Sequence, residues 1–181
     1  MRYLFKRKHN SECNCSKCGT KTESEVGFGS IMPTILEGLS KREMKRRVVL
    51  TDDVCVLDET HFFIYGCLEI PVIGEEDPFI WNVWVSLSPD NFFKVIDLWE
   101  DPTRVDLEPM FGWLSTDLPI YPDTINLKTN VHMREVGLRP LIELEPTNHP
   151  LAVEQRNGIT RSRIDDIFRF VERDGKRRIT R

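Results

Sequence analysis

The sequence predicts an α+β fold with a mostly antiparallel sheet and N-terminal, central and C-terminal helices. Three observations carry that expectation. Helical periodicity follows Pro33, Ser88 and Thr160, whereas period-two alternation fills much of the middle of the chain. Strands and helices do not alternate strictly, as a doubly wound parallel sheet requires. The chain also lacks a Gly-rich phosphate loop.

The elements follow in order. Residues 1–30 read as an irregular arm, with a cysteine cluster, Gly27, Gly29 and little periodicity. Residues 31–174 read as one α+β domain and 175–181 as a basic tail. A first helix is expected after Pro33, because Ile35, Leu36, Leu39, Met44 and Val48 recur at near-helical spacing opposite Lys41, Arg42, Lys45 and Arg46. Proline suits a helix start, where its missing N–H would be unpaired anyway. Residues 54–57 form a short strand. Residues 62–72 form a longer one, with Phe63, Tyr65, Cys67 and Glu69 on one side and Phe62, Ile64, Leu68 and Ile70 on the other. After a turn at 74–78, residues 79–87 complete a hairpin as a half-buried strand with Trp81, Val83 and Val85 inward.

Ser88 is a natural N-cap and Pro89 a natural first residue for the second helix, whose apolar face is Phe92, Val95, Ile96 and Trp99. Asp101-Pro102 ends it. Residues 111–114 read as a short strand, and 126–136 and 139–144 as two more, joined through Gly137-Leu138. A turn at 146–150, where Thr147, Asn148 or His149 caps, leads to a short helix around 151–156, stopped by Asn157-Gly158. The last helix, about 161–172, places Ile164, Ile167, Phe168 and Val171 on one face.

The chain of 181 residues is 40 % hydrophobic and 30 % charged, ordinary for a soluble protein. No apolar run approaches the roughly 20 residues of a membrane span. The N-terminal residues lack a secretion signal's apolar region, so the expectation is a cytoplasmic protein with no membrane partner. Its cysteines are then expected as thiols or metal ligands. The net charge of −4 is segregated: +6 over residues 1–50, −13 over 51–130 and +3 over 131–181. An acidic middle repels phosphates, which favours a protein partner over nucleic acid.

Several stretches resemble a known bacterial family, domain of unknown function 2199. They are Asp53-Val54-Cys55-Val56-Leu57-Asp58, residues 62–72, Trp84-Val85-Ser86-Leu87-Ser88, Phe111-Gly112-Trp113-Leu114-Ser115-Thr116, residues 118–124 and Leu127-Lys128-Thr129. The most specific is residues 139–160, which include Glu145-Pro146-Thr147-Asn148-His149-Pro150. The resemblance covers roughly residues 13–160. It implies a shared fold and no particular reaction.

Two groups of residues bear chemistry. Cys15-x-x-Cys18-Gly19 is half of a structural zinc site, since two thiolates at this spacing share one Zn²⁺ across a tight turn. Cys13, Cys55, His61 or Cys67 are the candidates to complete it, and His9 is a further one. A redox role for the pair lacks the helix that would activate a thiol. A weaker metal site would join His61 to Asp52, Asp53, Asp58 and Glu59. The second group is a cluster of His132, His149 and Glu154, an acid/base constellation if the strand and helix meet, with Lys128, Arg134, Arg139 and Arg156 to bind an anion. The competing expectation has His149 as a helix cap and Glu154–Arg pairs locking the helix to the sheet. Two functions follow: a protein-binding or regulatory module, zinc-stabilised, or an enzyme acting on a small anionic substrate through His132, His149 and Glu154.

Overall fold

A computed structural model describes residues 27–179. Eight strands lie in this part of the chain: β1 (Gly27–Gly29), β2 (Val48–Leu50), β3 (Val54–Leu57), β4 (His61–Ile70), β5 (Phe79–Leu87), β6 (Met110–Leu114), β7 (Lys128–His132) and β8 (Leu141–Leu144). Four helices accompany them: α1 (Lys41–Arg47), α2 (Pro89–Asp97), α3 (Pro150–Asn157) and α4 (Arg161–Ile179).

The expected helix-decorated antiparallel sheet is corrected to a closed barrel. Strands β4, β5, β6, β7 and β8 form a ring, with β1 added to β5 and the β3–β2 ribbon added to β4. Most ladders are antiparallel, but β1–β5 and β4–β8 are parallel. The barrel closes where Cys67 pairs with Leu141. Local periodicity cannot report a bridge between residues so far apart in sequence. Gly66 makes it sterically possible, because a Cβ there would lie 2.8 Å from the Pro140 carbonyl oxygen.

The β4–β5 hairpin is the longest ladder, with Phe62 opposite Leu87 and Ile70 opposite Phe79. Each strand has different neighbours along its length. The first half of β4 borders β3 and its second half borders β8. The end of β5 borders β6 and its beginning borders β1. β5 is buried on both faces rather than half-buried, because each face packs into a core of its own. Trp81, Val83 and Val85 enter the main core, to which α2 adds Phe92 and Val95, α3 adds Leu151, and α4 adds Ile164 and Ile167. Trp84 faces a second core with Phe63, Cys55 and Leu36.

The first helix differs from expectation. Residues 34–36 make only a short 3-10 turn, and Gly38 breaks the chain at φ 89°. α1 begins afresh from Ser40, whose hydroxyl accepts from Glu43 N–H while the Glu43 carboxylate accepts from Ser40 N–H. Val48, assigned by spacing to this helix, belongs to β2. The later helices start as predicted: Ser88 Oγ accepts from Asn91 N–H, and His149 Nδ1 accepts from Leu151 N–H. α4 continues through Asp174-Gly175, where its end was expected. No helix among the described residues is long and apolar enough to cross a membrane.

Candidate functional site

The predicted acid/base and anion-binding residues occupy several separate settings. Lys128, Asn130 and His132 share the outer face of β7, as period two requires. There Lys128 Nζ lies 3.8 Å from Glu145, and His132 Nε2 lies 2.8 Å from Glu143 Oε2. Arg134 leaves that face. It is buried, donating from Nη1 to Glu69 at 2.9 Å and from Nε to the Arg139 carbonyl at 2.6 Å. Arg139 donates to Asp53 at 2.8 Å, and its guanidinium sits 4.7 Å from the Tyr65 ring centre. Burial pushes the Tyr65 hydroxyl up to about 12.

His149 is the cap of α3, the structural role weighed for it. Glu154 accepts from Tyr121 Oη at 2.6 Å and from Arg163 Nε at 2.8 Å. The Tyr121 hydroxyl is held well above its ordinary value, first by burial and then by its hydrogen bond to Glu154. Arg156 donates to the Thr147 carbonyl at 2.9 Å. Among the described residues, no hydrogen bond or ion pair joins His132, His149 and Glu154 to one another; each is engaged by a different partner. Arg104 escaped the sequence reading. It is fully buried, donates to the Trp99 and Leu138 carbonyls, and packs over the Trp99 ring. A lone Arg in a Pro-Asp-Thr-rich segment carries no pattern that marks it as buried.

Of the metal candidates, His9, Cys13, Cys15 and Cys18 lie outside the described residues. Cys55 is buried in the second core, where burial pushes its thiol up to about 12. Cys67 is disulfide-bonded, where a thiol or metal ligand was expected. His61 Nδ1 lies 2.9 Å from Thr60 Oγ1. Two of its four carboxylate neighbours are occupied: Asp58 by Arg47 at 2.6 Å and Asp53 by Arg139. No group of three or more metal-ligating side chains occurs among the described residues.

An apolar groove lies elsewhere, between α2 and the β3–β4 hairpin. Its volume is about 650 Å³, and Val56, Phe62, Pro89, Phe92 and Phe93 line it, together with Glu59 and Thr60. The hairpin turn positions one wall. Asp58 and Glu59 both take left-handed backbone (φ 52° and 56°), and Thr60 N–H donates to the Leu57 carbonyl. Two left-handed central residues match the twist of a tight antiparallel hairpin. The Arg47 guanidinium holds the Asp58 carboxylate, first by hydrogen bonding, and keeps its carboxyl below the ordinary range. The other wall is aromatic. The Phe62 ring centre is 5.0 Å from Phe92 and 5.4 Å from Phe93. Phe92 is buried, but Phe93 is 53 % exposed. A second phenylalanine off the apolar stripe of α2 is the sequence signal that would have found this groove.

A family model described as an uncharacterized protein conserved in bacteria (DUF2199) matches residues 14–159. No curated protein and no solved structure matches the chain.

Proposed function

The chain belongs to DUF2199, a family conserved in bacteria, and we propose that it is a protein-binding or regulatory module whose recognition surface is the apolar groove between α2 and the β3–β4 hairpin. The observation that carries this reading is the half-exposed Phe93 ring beside Phe62 and Phe92 in an open groove. Apolar side chains of a protein partner gain most by covering aromatic surface of this kind, which is enriched at interface centres. The groove's lining residues, Glu59 among them, all fall within the stretch of net charge −13, which disfavours a nucleic-acid occupant.

The polar groups support the same reading. An enzyme acting on a small anion through His132, His149 and Glu154 needs those side chains to converge on a substrate. Instead they are committed to Glu143, the α3 backbone, and Tyr121 with Arg163. Zinc bound by Cys15 and Cys18 remains part of the proposal, as a stabiliser of the N-terminal arm.

Photo-crosslinking tests the groove. A photoreactive amino acid replaces Phe93 in the full chain, expressed in bacterial cells, and adducts are identified by mass spectrometry. Val105, 45 % exposed and not among the groove-lining residues, serves as the control position. A discrete identified adduct at 93 but not at 105 is expected. Equal labelling at both positions, or none at 93, overturns the proposal.

A further inference from the structure

We infer that the groove's partner is an acidic extended segment that adds as a strand to the bare edge of β2; this rests on the groove reading above and names the occupant.

β2 stands at the end of the strand order and pairs only with β3 among the described residues. Its register identifies which backbone groups face outward. Asp58 N–H donates to the Arg47 carbonyl, and Thr51 N–H to the Val54 carbonyl. Antiparallel pairing alternates, so residues 47, 49 and 51 turn toward β3, and 48 and 50 turn away. The Val48 N–H is taken by the Met44 carbonyl of α1. Among the described residues, the Val48 carbonyl and both backbone groups of Leu50 are left along the open edge. Natural edges are usually guarded by shortness, proline, bulges or charge within the strand. Val48-Val49-Leu50 is short but has no proline, bulge or charge, and Val49 is 65 % exposed.

This edge shares a sheet face with one wall of the groove. Cross-strand partners share a sheet face, and Val49 lies opposite Val56, which lies opposite Phe62. An added strand would set the side chain facing Val49 in the same row as Val56 and Phe62. Main-chain bonds would then give affinity, and the groove would select the side chain.

Charge selects the chemistry of the segment. α1 leads directly into β2 and exposes Lys41, Arg42, Lys45 and Arg46, none with an ion-pair partner among the described residues. Glu43 is committed to Ser40 and Arg47, and Arg47 to Asp58. Four uncommitted cations at the N-terminal end of a bare edge strand favour acidic residues at that end of the added segment. A second copy pairing β2 with β2 would bring its own α1 cations toward the same edge, and residues 1–26 of this chain are themselves net basic. Both are poorer complements than an acidic partner.

Selection from a random peptide display library on the intact chain tests this, with counter-selection against a Lys45→Glu/Arg46→Glu variant. Enriched peptides are expected to carry net negative charge beside alternating apolar residues. Their affinity should fall about tenfold in the charge-reversed variant and weaken with salt. Methylating the backbone nitrogens of a selected peptide one at a time should abolish binding at alternate positions, where the N–H faces β2, while leaving the protein unchanged. Enrichment of neutral or basic peptides, no enrichment, or indifference to N-methylation overturns the inference. So does a dimer in sedimentation that Val49→Lys dissociates, since that assigns the edge to a second copy. If the peptides fail while Phe93 still crosslinks to an identified protein, strand addition is wrong and the groove reading stands. If no adduct forms at 93 but the peptides bind as described, the reverse holds.

Discussion

Gly66 is where the barrel is most sensitive to one carbon atom. Alanine in a strand normally gains about 0.5–1 kcal/mol over glycine by lowering the entropy lost on folding. At Gly66 the sign should reverse. The added Cβ would lie 2.7 Å from two side-chain atoms of Ile142 and 2.8 Å from the Pro140 carbonyl oxygen. Ile142 is fully buried. The Pro140 carbonyl is fixed, because it accepts from Cys67 N–H at 2.9 Å beside the Cys67–Leu141 bridge that closes the ring. Overpacking of this kind costs about 1–3 kcal/mol, and loss of the Cys67 hydrogen bond adds about 0.5–1.5 kcal/mol. After the entropy gain, Gly66→Ala should lose about 2 kcal/mol. Urea unfolding monitored by tryptophan fluorescence measures this, since Trp81 and Trp84 are both buried. Ile142→Val should recover part of the loss in the double variant, because it removes one of the two crowding atoms. A Gly66→Ala protein as stable as the parent would refute close strand approach as the reason for glycine.

Four further outcomes are expected. His149→Ala should cost about 0.5–2 kcal/mol in the same unfolding assay, the usual loss for an N-cap; an unchanged midpoint would remove the capping role. Cys55 should resist alkylation in the folded protein and react on unfolding, because burial raises its thiol to about 12; peptide mass spectrometry reads the modified position. The Asp58 carboxyl is depressed chiefly by its hydrogen bond to Arg47, so its stabilising contribution is present above the ordinary carboxylate range, about pH 4, and is lost as pH falls through the lowered value. Asp58→Asn should therefore differ from the parent at neutral pH and converge with it in acid, whereas a difference independent of pH would contradict the assignment. Finally, elemental mass spectrometry of reductively purified protein should find about one zinc per chain, lost in Cys15→Ser; metal-free parent protein would rule out the zinc site.

The local elements were legible because their signals are local. Ser88-Pro89 and Asn157-Gly158 mark helix ends by capping chemistry, and the 79–87 strand matches β5 at both ends. Barrel closure was not legible, because it depends on Cys67 meeting Leu141. The helix after Pro33 was overextended because apolar spacing continued through Gly38 while the backbone did not. At the candidate site, the cap role of His149 was weighed in advance, but the Glu154 ion pair, expected to lock α3 to the sheet, joins it to Arg163 of α4 instead. Arg134 shares the parity of Lys128 and His132, but β7 ends at His132 and the chain then turns Arg134 inward to Glu69. The groove went unseen because its walls, Val56, Phe62 and Phe93, each read as ordinary core or helix residues when taken alone.

The divided neighbours of β4 and β5 bear on how the protein can be cut. Removing the β2–β3 ribbon bares half of one side of β4, and removing the segment after Leu138 bares the other half. Neither fragment keeps a sealed wall around the hairpin, so limited proteolysis should give no stable truncated core that retains residues 61–87. The connection between β4 and β5 is different: Ile73 is 64 % exposed, the following residues of the turn are exposed, and an added Cβ at Gly74 meets nothing within 4 Å. New termini or an inserted tag placed there would leave every strand pairing in place.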